Sequence, residues 1–282
     1  MGVAYDVSDR GRIQPPMELI RKTDAYFTDK GEGLRVYEHP ETGQELFSVT
    51  SVQTVMNGEA QALKIWRRRD PEWADYWTRY TQIRGTIIHE QILGKYADRP
   101  MPGYDLPSEI DPEAIIADDD PKGVNHMIDE QDFAKIEADL ERAKNMWAKI
   151  WSSEGYSFGD VQGVEVKVWR PDYGYAGTFD LLMRLDGKLT LCDLKTSKAY
   201  RDKYAEQLAA YWDAAEEMYD IEIKQACVIR LCPDQRHNPF LKPELHFVPD
   251  KRAEWRAKCT DFQQNYLPHL DTSGEPEPDE IQ

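Results

Sequence analysis

The stretch LTLCDLKTSKAY, Leu189 to Tyr200, sets Asp193 and Lys195 on either side of one leucine in a largely apolar run. If that run is a strand, side chains two apart share a face. A carboxylate and an ammonium then stand together where an unpartnered charge is costly. A second carboxylate comes within reach through the preceding turn. Asp186-Gly187 is the strongest short hairpin signal; with those two residues as the loop, Leu185 faces Lys188 and Asp180 stands opposite Asp193. Opposed side chains lie about 5 Å apart, where like charges repel, so two carboxylates call for a proton or a cation between them. A lone Asp-x-Lys is commonly a buried ion pair, and the opposing Asp180 is what favours a metal. Hard oxygen ligands, two at a time with water left over, suit Mg2+ or Mn2+. Such an ion polarises a phosphoryl oxygen and lowers the pKa of bound water. Lys195 would orient that water or stabilise charge building on the phosphate.

Further groups can converge on this point. Glu165, in VQGVEVKVW, could add a carboxylate from a neighbouring strand, and His89 lies on the helical stretch RGTIIHEQIL. A zinc site of the HExxH type is excluded there, because Leu93 stands where the second histidine belongs. Gln207 and Tyr211 are four apart on the helix that follows the Asp193 strand and share a face with Tyr204.

The elements that must position these residues follow from periodicity. Residues 58 to 96 and 130 to 153 read as helix. VQGVEVKVW, GTFDLLMRL and LTLCDLKT read as three successive strands, followed by a helix from about Tyr200 to Tyr219 and a further strand, QACVIRL. The fold class is therefore α/β. The expected organisation is a single domain over 1–270, with a motif core at about 84–231, an acidic insertion at about 97–129 and an acidic tail over 271–282.

The net charge of −17 is unevenly placed. Asp105 to Glu141 holds thirteen acids against two lysines, and Asp271 to Gln282 holds five acids and no base. The rest of the chain is close to neutral, so the total does not exclude a basic groove. The two acidic segments read as a solvated insertion and a disordered tail. Cys192, Cys227, Cys232 and Cys259 lack the paired spacing of a zinc site and are expected to be reduced thiols. No apolar run nears the roughly 18 residues of a membrane helix, and no signal-peptide core is present. A cytoplasmic protein, with no membrane partner, is expected.

His89, then GTFD ending in Asp180, then DLK with Asp193 and Lys195, then QLAAY with Gln207 and Tyr211, together resemble the RecB-like and phage-exonuclease branch of the PD-(D/E)XK nuclease superfamily. The resemblance spans about residues 84 to 231. It implies a restriction-endonuclease-like core: a helix, a three-strand antiparallel meander, a helix and a further strand, here with extra N-terminal helices. It also implies roles. His89, Asp180, Asp193 and the Leu194 carbonyl look like metal ligands, and Lys195 matches the catalytic lysine. Glu165 looks like the first-strand carboxylate, and Gln207 and Tyr211 like the helix pair beside the scissile phosphate. Thr196 and Ser197 complete the KTS seen in many members. The four-cysteine pattern of iron–sulfur members is missing, so no cluster is expected. Without a G-x-x-x-x-G-K-[ST] phosphate loop, no ATP-driven motor is expected either.

The expected activity is metal-dependent exonucleolytic hydrolysis of DNA in recombination, repair or replication, in a bacterial or phage-infected cell, with a phage gene among the candidate sources. An endonuclease or flap nuclease, and an inactive DNA-binding or assembly module, are the rival readings. The expected substrate is DNA without sequence preference, as linear ends or single strands. A recombination or single-strand-binding protein is the expected class of partner, and oligomeric state stays open. Basic residues should line the DNA approach. Lys64 and Arg67, Arg68 and Arg69, beside Trp66, form the densest basic cluster; Lys198, Arg201 and Lys203 follow the catalytic strand, and Arg84 precedes His89 on its helix.

Overall fold

In the computed structural model, which describes residues 20–22, 26, 33–58, 61–96, 124–151, 158–270 and 272, the Asp186-Gly187 turn forms as its sequence dictates. Both residues have positive φ, 51° and 73°, as a two-residue type I′ hairpin requires. Leu185 pairs with Lys188, and the same register runs on to Leu181 and Cys192. The turn joins strands β5 (Tyr175–Leu185) and β6 (Lys188–Lys195).

Strand β4 (Phe158–Arg170) precedes them and pairs antiparallel with β5, completing the expected meander. Helix α5 (Lys203–Tyr219) then crosses to β7 (Gln225–Arg230), which runs parallel to β6. Four short strands had no clear signal in the sequence: β1 (Ile20–Lys22), β2 (Val36–Glu38), β3 (Glu45–Ser48) and β8 (Glu244–Val248). Together the eight form one sheet, in which β8 extends the β7 edge and β3 joins β5 in parallel.

That last pairing creates a fork. β4 lines one side of β5 from end to end. On the other side, β3 pairs only with Tyr175 and Ala176, and β6 only with Leu181 to Leu185. Gly177 to Asp180 are left without a strand on that side.

Helices cover both faces, as a largely apolar sheet demands. On one face lie α1 (Val49–Asn57), α5 and α6 (Arg252–Asp261), whose Val52, Leu208, Ala214 and Trp255 pack with Val166, Phe179 and Leu191. On the other lie α3 (Pro71–Leu93) and α4 (Glu130–Trp151), whose Ile83, Ile88 and Trp147 pack with Val164, Leu181 and Leu194. The helical stretch expected over 58–96 is split into α2 (Gln61–Arg69) and α3. Asp70 caps α3 by accepting from Trp73 N at 3.1 Å, with Pro71 at its first position.

The acidic insertion lies outside the described residues over 97–123, as does the tail apart from residue 272. Where the acidic run is described, the expectation of a solvated segment needs correction. Asp132 and Asp139 of α4 are buried: Asp132 accepts from Tyr76 Oη at 2.9 Å, and Asp139 from Arg84 Nη1 at 3.3 Å. They tie α4 to α3. No described helix is long and apolar enough to cross a membrane.

Candidate active site

The fork brings the two helical layers to one place. Asp180 closes the gap in β5, and its Oδ2 accepts a 2.6 Å hydrogen bond from Leu194 N. The β5–β6 ladder has ended one pair earlier, at Leu181 and Cys192. Asp180 thus braces the backbone between Asp193 and Lys195, in place of a regular ladder pair with Asp193.

The residue that faces Asp180 across an adjacent strand is Glu165. Val164 pairs with Leu181 and Val166 with Phe179, bracketing Glu165 against Asp180. Glu165 has φ 49°, a left-handed conformation that is uncommon for a side chain of this kind and marks a local constraint. Its neighbours Val164 and Val166 accordingly pack on opposite faces of the sheet, where a regular strand would put both on one. His89 reaches in from α3, with Nδ1 3.6 Å from Asp180 Oδ2. Donor atoms of His89, Glu165 and Asp180 all lie within 4.8 Å of one another.

Asp193 and Lys195 form the ion pair that their spacing suggests, Nζ to Oδ1 at 2.7 Å. The pair does not satisfy the carboxylate. Asp193 Oδ2 is buried and has no hydrogen-bond partner among the described residues, which is expensive for a charged oxygen. On the opposite layer, Gln207 Nε2 donates to Tyr211 Oη at 3.1 Å, and Lys195 Nζ sits 5.3 Å from the centre of the Tyr204 ring.

Electrostatics report the same crowding. Burial, then Asp180 and Asp193, push the Glu165 carboxyl well above its usual range. Burial also raises Asp180, against the pull of Lys195 and the Leu194 N–H. Asp193 rises to about 6, chiefly through burial, which outweighs the opposing pull of Lys195. Burial and the Lys195 charge lower His89 to about 4, leaving a neutral imidazole at pH 7. For Lys195 burial acts the other way, but Asp193 and Asp180 outweigh it and hold the ammonium charged. The carboxylates of Glu165 and Asp180 with the neutral imidazole of His89 form a donor set that fits a hard divalent cation. Asp193, expected as a ligand, lies beside that group with one buried oxygen unpaired among the described residues.

Residues 48–279 match the PD-(D/E)XK nuclease superfamily. That is most of the chain, including every residue of the cluster. The chain belongs to the PD-(D/E)XK nuclease superfamily. PD-(D/E)XK proteins are in general nucleases that use divalent metals. No curated protein matches the sequence. A crystal structure of SSO0001 is similar over 48% of this chain at 17% identity, with a TM-score of 0.28; the match spans 65% of that protein's own chain, less than two thirds. A likeness that weak bears on neither fold nor function.

Within the PD-(D/E)XK frame, the glycine of GTFD has a physical reason. A Cβ on Gly177 would lie 2.5 Å from Tyr211 Cε1, and Tyr211 is buried in a packed core. The bare backbone in the fork is what lets the ring, and with it Gln207, approach the site. Gly177→Ala is expected to destabilise the protein by about 1–3 kcal/mol through overpacking and to displace Tyr211. Urea unfolding read by fluorescence, with activity measured alongside, checks both effects.

Other expected site residues separate into two groups. Thr196, Ser197 and Lys198 form the loop leaving β6, and Arg230 holds that loop by donating to Lys198 O at 2.8 Å and Ser197 O at 3.3 Å. Arg230 had no signal in the sequence; it pairs with Lys195 in the parallel β6–β7 ladder and is bridged to Glu244. Arg84, expected to touch phosphate, is 7% exposed and bonded to Asp139. The structure gives it an internal tie between α3 and α4 in place of an exposed phosphate contact. Arg67, Arg68 and Arg69 form the last turn of α2, where positive charge also suits the helix dipole. Arg68 and Arg69 are exposed and Arg67 is half-buried.

Proposed function

We propose that this PD-(D/E)XK protein is a divalent-metal-dependent DNA exonuclease acting in recombination, repair or replication in the cytoplasm of a bacterial or phage-infected cell. The convergence of His89, Glu165 and Asp180 beside the Asp193–Lys195 pair carries the hydrolytic reading. The exonuclease assignment rests on the likeness of the motif set to the RecB-like branch.

In this reading Asp180, Asp193, His89 and the Leu194 carbonyl hold Mg2+ or Mn2+, with Glu165 alongside. The bound ion supplies charge that polarises a phosphoryl oxygen and acidifies water. Lys195, kept protonated by Asp193 and Asp180, stabilises the charge that builds on the phosphate and orients the attacking water. Gln207 and Tyr211, bonded to each other, flank the scissile group from α5. Arg230 is a positioning residue that fixes the loop beyond Lys195.

End-labelled linear DNA and covalently closed circles, each incubated with Mg2+, Mn2+ or EDTA, test the proposal. Stepwise loss of label from linear DNA with either metal, intact circles and no reaction in EDTA are the expected results. Nicked or opened circles would replace the exonuclease by an endonuclease, and no metal-dependent cleavage at all would overturn the hydrolytic reading.

A further inference from the structure

The aromatic face of α3 has no part in the hydrolytic site, yet it leads there. Trp73, Tyr76, Trp77 and Tyr80 form a continuous ladder of rings. Trp73 and Trp77 stack at 5.8 Å between ring centres and Trp77 and Tyr80 at 5.3 Å, while Trp73 and Tyr76 meet at 5.0 Å. The inner members have structural work: Tyr80 is buried, and Tyr76 bonds Asp132. Of the outer members, Trp77 packs in part against the core beneath α3. Trp73 is 48% exposed and Trp77 half-buried. Two adjoining indoles at a surface form an aromatic patch, and such patches mark interaction sites.

Their position adds to this. Trp77, Thr81, Gly85 and His89 follow one another at four-residue steps, the ridge along which helical side chains line up. Between Trp77 and His89 the ridge climbs about 18 Å and winds about 120° round the helix. The loop beyond Lys195 follows it: Thr196 Oγ1 lies 4.0 Å from where a Cβ on Gly85 would be, and Lys198 Nζ sits 5.5 Å from the centre of the Trp77 ring. At the far end, the exposed Arg68 and Arg69 close α2 one residue before the Asp70 cap of α3. Flat rings bordered by cations, in line with a phosphate-cleaving site, match a single strand, whose bases stack and whose backbone is anionic.

We propose that the Trp73–Trp77 face of α3 is a stacking platform for the bases of single-stranded DNA entering the active site. The platform rests on the nuclease reading for its direction and holds the strand whose phosphate reaches Lys195. Base stacking on aromatics is tolerant of sequence, so the platform adds grip without adding base preference.

Binding measured by fluorescence anisotropy in EDTA, where no cleavage occurs, isolates the platform. A labelled oligothymidylate is compared with an abasic strand of equal length and charge, and with duplex DNA. The wild-type protein is expected to bind the thymidine strand on the order of tenfold more tightly than the abasic one. Trp73→Ala and Trp77→Leu should erase most of that preference while leaving abasic binding unchanged, and Trp73→Phe should keep it. Equal affinity for both strands in the wild type, or a preference that survives both substitutions, would overturn the platform; the rings would then face duplex or a protein partner. The cleavage assay separates the two proposals: base-dependent binding without cleavage removes only the nuclease, and cleavage without base-dependent binding removes only the platform.

Discussion

Replacing Lys195 by alanine is expected to reduce metal-dependent cleavage of DNA by about 10²- to 10³-fold, the usual cost of deleting one preorganised charge at a developing oxyanion. The side chain differs from the exposed lysines among the described residues, such as Lys188 and Lys198. It is held charged inside a site that burial would otherwise neutralise, and its Nζ is fixed at 2.7 Å from Asp193 Oδ1. The substitution also strips Asp193 of its only side-chain hydrogen bond among the described residues. A metal ion can compensate that loss, whereas the metal-free variant cannot, so the variant should bind Mn2+ yet fail to cleave. Isothermal titration with Mn2+ and single-turnover cleavage of end-labelled DNA measure the two properties separately. Full activity in the variant would remove Lys195 from the mechanism.

A second large effect concerns the metal-free protein. Burial raises the carboxyls of Glu165, Asp180 and Asp193, and Asp180 adds to the rise at the other two, so ionising all three without a cation is unfavourable. Glu165→Gln removes one of the three ionisable carboxyls with little change of shape. Its metal-free form is expected to be more stable than wild type by about 0.5–2 kcal/mol, the range seen when functional strain is relieved. In the wild type, a metal at one hundred times its Kd should add about 2.7 kcal/mol. The variant should show a much smaller metal-dependent rise in Tm and a severe loss of cleavage. Thermal unfolding with and without Mn2+ reads all but the last. A wild-type Tm unmoved by Mn2+ would contradict the assignment of these carboxylates as a cation site.

What the sequence made legible was local. The β5–β6 hairpin could be placed to the residue because Asp186-Gly187 permits one turn type, and the pairing of Leu185 with Lys188 follows from it. The β4–β5 register could not be placed in this way. Its connection contains a short helical turn at Pro171–Tyr173, and β4 carries register irregularities between Phe158 and Gly163. Glu165 could be expected near the site from its place on a neighbouring strand, but not directly opposite Asp180; counting back from the Arg170–Tyr175 pair gives that position. Arg84 was misplaced for a different reason. Its partner, Asp139, lies 55 positions away on another helix, and local periodicity says nothing about such a contact. The short strands β1, β2, β3 and β8 have three to five residues each, too few to show an alternation.

The strand β5 touches β4 along its whole length, β3 at one end and β6 at the other. A strand held by three neighbours cannot slide, so the carboxylate on it behaves as the fixed jaw of a gauge. Mg2+ takes oxygens at about 2.0–2.1 Å and Ca2+ at about 2.3–2.6 Å, with more of them. The first needs few ligands at close quarters; the second needs a cage that can widen. In the proposed site such a fixed strand would favour the smaller ion, with pairs such as Phe47 with Tyr175 holding the end of β5 that precedes Asp180.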